Sequence, residues 1–175
     1  MTWVKIRAPS LMQAESIMDI KTVTGFFPKI EDAPAKGSTS IIVMPVNAQG
    51  VLDLTSIGRR FQLFFKDSAA FYNAECYFGN IKPGEILTCE EDNFVVYFVC
   101  YKNAEVGKAK AHTSAEEQSR HLTSAIGKVI IAATTKYNDS DELKFYSPEI
   151  VFPSVETRIK SFVSKGTWYS MPEGK

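Results

Sequence analysis

The chain has 175 residues, of which 45% are hydrophobic and 23% are charged, and its 20 basic residues balance 20 acidic ones. This length suits one compact domain with its own core, and the neutral net charge argues against bulk nucleic-acid binding. No apolar run reaches the ~20 residues that span a bilayer, and the start of the chain lacks a signal peptide's apolar core. We therefore expect a cytoplasmic protein with no membrane partner.

Cysteines and histidines, which bind most transition metals, are few: the chain has three cysteines and two histidines. Cys76, Cys89 and Cys100 include no C-x-x-C pair, so we expect them to be reduced, buried side chains, with a catalytic or redox thiol as the alternative. His112 and His121 are nine positions apart, which would place them on opposite faces of a helix. They cannot bind one metal from such a helix, and we predict neither a metal nor a cofactor.

The first predicted elements are strands. Residues 3 to 8 (WVKIRA) suit a short edge strand, and IKTVTGFF, which begins at Ile20, suits a strand that stops at Gly25. Prolines, a glycine and small polar residues predict a loop over residues 28 to 40. The almost wholly apolar residues 40 to 46 (SIIVMPV) then predict a strand covered on both faces.

Two helices follow Gly50. Apolar residues recur at helical spacing over residues 55 to 67, and a second helical stretch over residues 68 to 78 is closed by Gly79. The aromatic side chains of this region are expected mainly in the core, with some of them free to form a protein-binding face.

Two more strands and a long helix come next. The apolar runs of residues 85 to 90 and 93 to 101 predict consecutive strands joined by a tight turn. A polar loop over residues 102 to 112 leads to Ser114 and Glu117, which form a capping box at the start of the helix.

The last third predicts a strand, a helix and a second strand. Residues 149 to 153 (EIVFP) suit a short buried strand, and Ser154 is a candidate cap for a helix that Gly166 closes. The tail from residue 167 suits an edge strand.

This order of elements predicts an α/β protein, namely a three-layer α/β/α domain with a mixed, mostly parallel central sheet. We expect residues 20 to 175 to form this domain and residues 1 to 19 to be an N-terminal extension.

A candidate site lies between the buried strand and the first helix. In open α/β sheets, ligands bind beyond the carboxyl ends of strands, where helix N-termini present free N–H groups. Asn47 can donate to and accept from a sugar hydroxyl, and Gly50 lets the backbone approach a bulky ligand. The loop over residues 43 to 54 is therefore the predicted ligand site.

The same loop carries a resemblance to a known family. VMPVNAQGV, residues 43 to 51, resembles the first loop of macro domains, in the branch that has Val-Asn-Pro-Val-Asn-x-x-Gly-Val. Residues 71 to 98 are similar to that branch's aromatic helix, Lys-Pro-Gly turn and strand pair, and the likeness covers about residues 20 to 101. The resemblance implies the macro fold, a cleft for ADP-ribose or a related nucleotide and, in some members, hydrolysis of ADP-ribosyl bonds.

Several positions that contact the ligand in the family are replaced here. Met44 stands for the first asparagine, Phe26 follows Gly25 in place of an aspartate, and Leu54 or Thr55 stands for the lysine that is catalytic in hydrolysing members. FPSVETR, residues 152 to 158, corresponds to the second phosphate loop but has no glycine. The resemblance therefore implies a changed ligand or binding without turnover, and no catalytic residue is assigned.

Eight residues are predicted to contact the ligand: Pro45, Val46, Asn47, Gly50, Val51, Asp53, Phe26 and Ser154. Phe26 would stack on a base, and Ser154 would receive a phosphate at a helix N-terminus. Three have structural alternatives, since Asn47 can satisfy its own turn and Asp53 and Ser154 can cap helices.

Three functions follow in order of support. The first is binding of ADP-ribose, a related nucleotide or an ADP-ribosylated macromolecule without turnover. The second is a protein-interaction or inhibitor module that keeps the fold and has lost the pocket, and the third is an ADP-ribosyl hydrolase. The compact, divergent, neutral chain would suit a viral or mobile-element protein.

Overall fold

A computed structural model describes residues 16–23, 37–52, 55–103, 113–149 and 152–172. These residues form eight strands and four helices. The strands are β1 (Ser16–Ile17), β2 (Asp19–Thr22), β3 (Ser38–Asn47), β4 (Ile86–Glu91), β5 (Phe94–Lys102), β6 (Glu142–Pro148), β7 (Val163–Ser164) and β8 (Gly166–Met171). The helices are α1 (Ser56–Phe64), α2 (Lys66–Tyr77), α3 (Ala115–Lys136) and α4 (Pro153–Lys160).

Six strands form one central sheet in the order β2-β8-β6-β3-β5-β4. All neighbours are parallel except β4 and β5, which form an antiparallel hairpin. β1 and β7 pair separately as a two-stranded antiparallel ribbon. The sheet is therefore mixed and mostly parallel, as predicted.

The central strand β3 is buried on both faces because its side chains alternate between two cores. Ile41 and Val43 pack with α3 and α4, whereas Ile42, Met44 and Val46 pack with α1 and α2. Strand β5 alternates in the same way. Helices thus cover both faces of the sheet, which confirms the three-layer α/β/α architecture.

The core on the side of α1 and α2 is built from aromatic rings. Phe61 stacks on Phe65 at 5.1 Å between ring centroids and meets Phe98 edge-on at 5.6 Å. Tyr72 of α2 stacks on Phe98, with 5.1 Å between the ring centroids. Each such pair contributes about 0.5–1.5 kcal/mol beyond the area it buries. Phe64, Tyr77 and Phe78 are exposed instead, so only part of the aromatic set lies in the core.

The helix starts follow capping chemistry. The capping box of Ser114 and Glu117 begins α3, as predicted. Helix α2 has no cap from its own chain neighbours, and Glu91 at the end of β4 supplies one. Its carboxylate accepts from the Ser68 N–H at 2.8 Å and from the Ser68 hydroxyl at 2.7 Å.

A strand was predicted at residues 149 to 153, but the strand of this region, β6, ends before it at Pro148, and Pro153 already begins α4. Residues 150 and 151 lie outside the described residues. Leu143, Phe145 and Ser147 are buried while the residues between them are half-buried. This alternation is typical of a strand. It was missed because it directly follows the polar residues that end α3, which made the whole stretch look like a loop.

The C-terminal elements also differ from prediction. Phe152 rather than Ser154 occupies the N-cap of α4, with Pro153 in the first turn, and the helix ends at Lys160, before Gly166. Strand β8 lies between β2 and β6 rather than at an edge, and Trp168 on it is fully buried. Its sequence has no continuous apolar run, so the parallel pairing on both sides was not visible.

The predicted strand at residues 3 to 8 and most of the loop at residues 28 to 40 lie outside the described residues, as does the predicted polar loop from residue 104. The boundary between residues 19 and 20 stays a prediction. Within the described ranges, no helix combines the length and apolar character needed to cross a membrane.

We predict that Glu91→Ala lowers the free energy of unfolding by about 1–2 kcal/mol, because it removes the acceptor for the first turn of α2. Urea denaturation measures the change. Glu90→Ala is the matched control, since the Glu90 side chain is largely exposed and its ion pair with Lys136 is long, at 3.9 Å. Equal effects of the two substitutions would contradict the capping role.

Candidate functional site

A cavity of about 270 Å³ lies at the carboxyl ends of β3 and β6. Strand residues, the start of α1, one face of α3 and the segment before α4 line it. Its lining residues are Val43, Met44, Pro45, Thr55, Ile57, Tyr101, Gln118, Leu122, Ile126, Ser147, Pro148, Glu149 and Phe152. Most of these are apolar, which suits a ring system or another weakly polar part of a ligand.

A second cavity of about 70 Å³ adjoins the first and extends it toward the loop after β3. Both are lined by Met44, Pro45, Thr55 and Tyr101. We refer to the two cavities together as the strand-end cleft. Its position beyond the carboxyl ends of parallel strands is where α/β proteins bind ligands.

Helix α1 begins at the edge of the strand-end cleft. The Thr55 hydroxyl caps it by accepting from the Gly58 N–H at 2.9 Å. Gly58 has no room for a side chain, because a Cβ there would overlap the carbonyl oxygen of Leu52. The loop after β3 therefore packs directly on the first turn of α1, where the helix N-terminus carries the positive end of the helix dipole.

Asn47 organises the loop from inside. Only 5% of the residue is exposed, and its side-chain oxygen accepts from the Gln49 N–H at 2.8 Å. Its side-chain nitrogen donates to the Val51 carbonyl at 3.3 Å. The Asn47 amide thus satisfies its own turn, the structural alternative that the sequence left open.

Tyr72 fixes the same turn from α2. Its hydroxyl donates to the Asn47 carbonyl at 2.6 Å and lies 3.0 Å from the Asn47 side-chain oxygen. Burial strongly raises the pKa of Tyr72, so the phenol stays protonated and acts as a donor. Asn73 of the same helix donates to the Gly50 carbonyl at 2.9 Å. The loop conformation is therefore held by polar contacts within the loop and from α2.

The thiols near the cleft are poor nucleophiles. Burial raises the pKa of Cys100 to about 12. Burial also raises the pKa of Cys76, whose sulfur lies 3.9 Å from the Asn47 carbonyl. Both side chains are accordingly neutral at physiological pH.

The polar side chains of the strand-end cleft differ between its two parts: Thr55, Gln118, Ser147 and Glu149 line the larger cavity, and Asn47, Thr55 and Lys102 line the smaller one. Ser147 is committed, because its hydroxyl accepts from the Trp168 indole at 2.8 Å and donates to the Pro148 carbonyl at 2.9 Å. Gln118 donates to the Thr113 carbonyl at 2.8 Å. Glu149 is the one carboxylate among the described lining residues, and the described part of the chain has no cluster of metal-binding side chains.

The predicted contact residues are not all in one place. Pro45, Val46, Asn47 and Val51 line the strand-end cleft. Gly50 has φ +86° and lines a groove behind the loop, and a Cβ on it would lie 3.3 Å from the Cβ of Cys76. Ser154 lines a groove between α3 and α4. Phe26 and Asp53 lie outside the described residues.

Several lining residues were not predicted from the sequence. Tyr101 and Glu149 could have been found from one sequence signal, because each lies at or just beyond the carboxyl end of a parallel strand. Gln118, Leu122 and Ile126 line the cleft from one side of α3, at helical spacing. Only the packing of α3 on the sheet shows that this side reaches the cleft.

Known structures share this fold. The chain superposes on the macrodomain of Thermus aquaticus DarG with a TM-score of 0.59 and 16% identity, over 86% of this chain and 97% of that one. A macrodomain protein from Streptomyces coelicolor gives a TM-score of 0.60 and 16% identity, over 86% and 98%. Thermosipho africanus DarTG, solved in complex with ADP-ribose, gives 0.56 and 12%, over 89% of this chain and 42% of that one.

At these identities the likeness concerns the fold. No family model matches the chain, and no curated protein matches it in sequence. The element order, the sheet and the coverage of nearly the whole macrodomain chains confirm the macro fold that the loop motif implied.

We predict that Tyr72→Phe destabilises the protein by about 1–2 kcal/mol, because the buried Asn47 carbonyl loses its donor while the ring stacking is kept. Hydrogen exchange at the Gln49 amide should become faster, and urea denaturation gives the free energy. Tyr77→Phe is the control, since Tyr77 is 83% exposed. An unchanged exchange rate at Gln49 would show that the loop does not depend on this contact.

Proposed function

Because the chain has the macrodomain fold, we propose that it binds ADP-ribose or a related nucleotide in the strand-end cleft without turning it over. The observation that carries the proposal is the cleft itself, which lies at the carboxyl ends of β3 and β6 beside the first turn of α1. The ADP-ribose complex of Thermosipho africanus DarTG supports the ligand class.

The two parts of the cleft suit different parts of such a ligand. The larger cavity is mainly apolar and accepts a base or ribose ring through Pro45, Tyr101 and Phe152. A phosphate group is placed best at the start of α1, where the helix dipole is positive. Val46, Asn47 and Val51 line the side nearest this helix start.

The remaining predicted contacts enter the proposal differently. Gly50 acts through the loop, because its φ of +86° suits glycine and its surroundings are tight. Ser154 faces the groove between α3 and α4 rather than the cleft. Contacts from Phe26 and Asp53 stay predictions.

Binding without turnover is supported by the chemistry of the described lining. Glu149 is a single carboxylate, whereas acid and base catalysis of glycosyl transfer commonly uses two. The neighbouring thiols are protonated, and the side-chain amide of Asn47 is hydrogen-bonded to the backbone of its own loop. The position of the family's catalytic lysine is Leu54 or Thr55, and Thr55 caps α1.

We predict micromolar binding of ADP-ribose, about 8 kcal/mol, by calorimetric titration. Glu149→Gln should tighten binding about two- to fivefold, because it removes a negative charge from the cleft that would hold the anionic ligand. Glu142→Gln is the matched control at the opposite end of β6 and should leave affinity unchanged. No heat up to millimolar ligand, with the fold intact, would contradict the proposal.

A loss of apolar contact gives an independent arm of the same titration. Tyr101→Ala should weaken binding about tenfold, because the ring lines both parts of the cleft. Tyr169→Ala removes a ring of β8 that stacks on Tyr146 at 5.0 Å and does not line the cleft. Equal loss in both variants would indicate a general effect on the fold.

A protein-interaction module is the second candidate. Tyr77 and Phe78 at the end of α2 are 83% and 69% exposed and pack edge-on at 5.1 Å, which exposes two aromatic rings together. Failure of ADP-ribose to bind, combined with capture of a protein partner that Tyr77→Ser abolishes, would favour this candidate. Release of ADP-ribose from a modified protein above the buffer rate would instead favour a hydrolase.

A further inference from the structure

A second concave surface lies between α3 and α4. This groove has a volume of about 520 Å³ and is open to solvent. It is lined by Glu116, Ser119, Arg120, Thr123, Ser124, Ser154 and Arg158, a set of two arginines, four hydroxyls and one carboxylate. We call it the α3/α4 groove. None of its lining residues is shared with the strand-end cleft.

Arg158 is held in place before any ligand arrives. Its guanidinium carbon lies 4.7 Å from the centroid of the Phe162 ring. On the α3 side, a Cβ added to Gly127 would lie 3.3 Å from Arg158 Nε and Nη2, so the missing side chain makes room for the guanidinium. A guanidinium packed between a helix backbone and a ring keeps its fork of N–H donors oriented.

The arginines of the groove have no carboxylate partner among the described residues. Ion pairs in that part of the chain join Lys136 to Glu90, Lys144 to Glu142 and Lys160 to Glu156. Arg120 contributes only a minor attraction to Glu117, whose pKa is lowered mainly by hydrogen bonds from Ser114. With Glu116 as the one acidic lining residue, the groove keeps a net positive charge.

The hydroxyls add donors between the two arginines. The Ser119 and Ser154 oxygens lie 2.6 Å apart and connect α3 to α4. One proton suffices for this bond, so the pair has a second O–H for an acceptor in the groove. The Thr123 hydroxyl already donates to the Ser119 carbonyl at 2.7 Å and adds no donor, whereas the Ser124 hydroxyl is exposed.

We propose that the α3/α4 groove is a binding site for a phosphate group, in the form of a phosphate monoester dianion. Two guanidiniums and hydroxyl donors match the charge and the acceptor oxygens of such a group, and Arg158 provides planar bidentate geometry. The site is independent of the strand-end cleft, because it uses another face of α3 and the exposed side of α4.

The test is an NMR titration of the full chain with inorganic phosphate and, separately, with O-phosphoserine, with chloride keeping ionic strength constant. Amide shifts should saturate at millimolar concentration and concentrate at Ser119 to Ser124 and Ser154 to Arg158. Arg158→Gln and Arg120→Gln should each weaken binding at least ~fivefold. Lys136→Gln, which removes the same charge near the far end of α3, should leave affinity within ~1.5-fold.

The outcomes separate the sources of the phosphate. Equal affinity for the two probes supports a site for the phosphate group alone, and tighter binding of O-phosphoserine supports recognition of a phosphorylated residue. Arg120 is exposed, so Arg120→Gln should fold even if loss of Arg158 disturbs its packing. Unsaturable shifts, shifts confined to the strand-end cleft, or equal losses in Lys136→Gln and Arg120→Gln would overturn the proposal.

Discussion

The structure depends on the burial of β3 along both of its faces. Alternate side chains of this strand enter two separate cores, and its backbone pairs in parallel with β5 on one side and β6 on the other. A parallel strand in this position needs helices above and below it, because neither face can be left in water. The layers of the domain and the direction in which its loops emerge both follow from this constraint. The strand-end cleft is a consequence of it, since three parallel strands end at the same edge of the sheet.

Where β3 ends, buried polar contacts replace apolar packing. Asn47 closes its own turn, Tyr72 reaches it from α2, and the missing side chain of Gly58 lets the loop lie on the first turn of α1. An unpaired polar group in this place would cost free energy, so these hydrogen bonds together favour one conformation of the loop. The loop is thus positioned by elements on one face of the sheet, while α3 closes the cleft from the other. The resemblance assigned Asn47 to the ligand, but its side chain already holds this turn. Any contact that Asn47 makes with a ligand must leave these hydrogen bonds in place.

Helix α3 contributes to both proposed sites through different faces. Gln118, Leu122 and Ile126 line the strand-end cleft, whereas Ser119, Arg120 and Thr123 line the α3/α4 groove. The 3.6-residue period separates these sets by roughly a quarter of a turn, so neighbouring residues belong to different surfaces. The start of α4 shows the same division, because Phe152 lines the cleft and Ser154, two residues later, lines the groove. The cleft has a mainly apolar lining and the groove a mainly charged and hydroxyl lining, which explains why we assign them different ligand chemistry.

The sequence by itself determined the elements that have strong local patterns: the two-sided strand β3, the hairpin of β4 and β5, the first two helices, and the capping box of α3. It also located the loop after β3, because Asn47 and Gly50 favour a turn and therefore end the apolar strand. Tertiary structure decided the rest. The burial of Trp168 on β8, and the place of that strand between β2 and β6, depend on parallel partners more than 20 residues away, which no local pattern records. The two sets of α3 residues became cleft and groove only when the helix packed on the sheet. The dispersal of Asn47, Gly50 and Ser154 among different surfaces has the same physical reason: chain position sets which residues are neighbours along the backbone, but packing sets which side chains share a space.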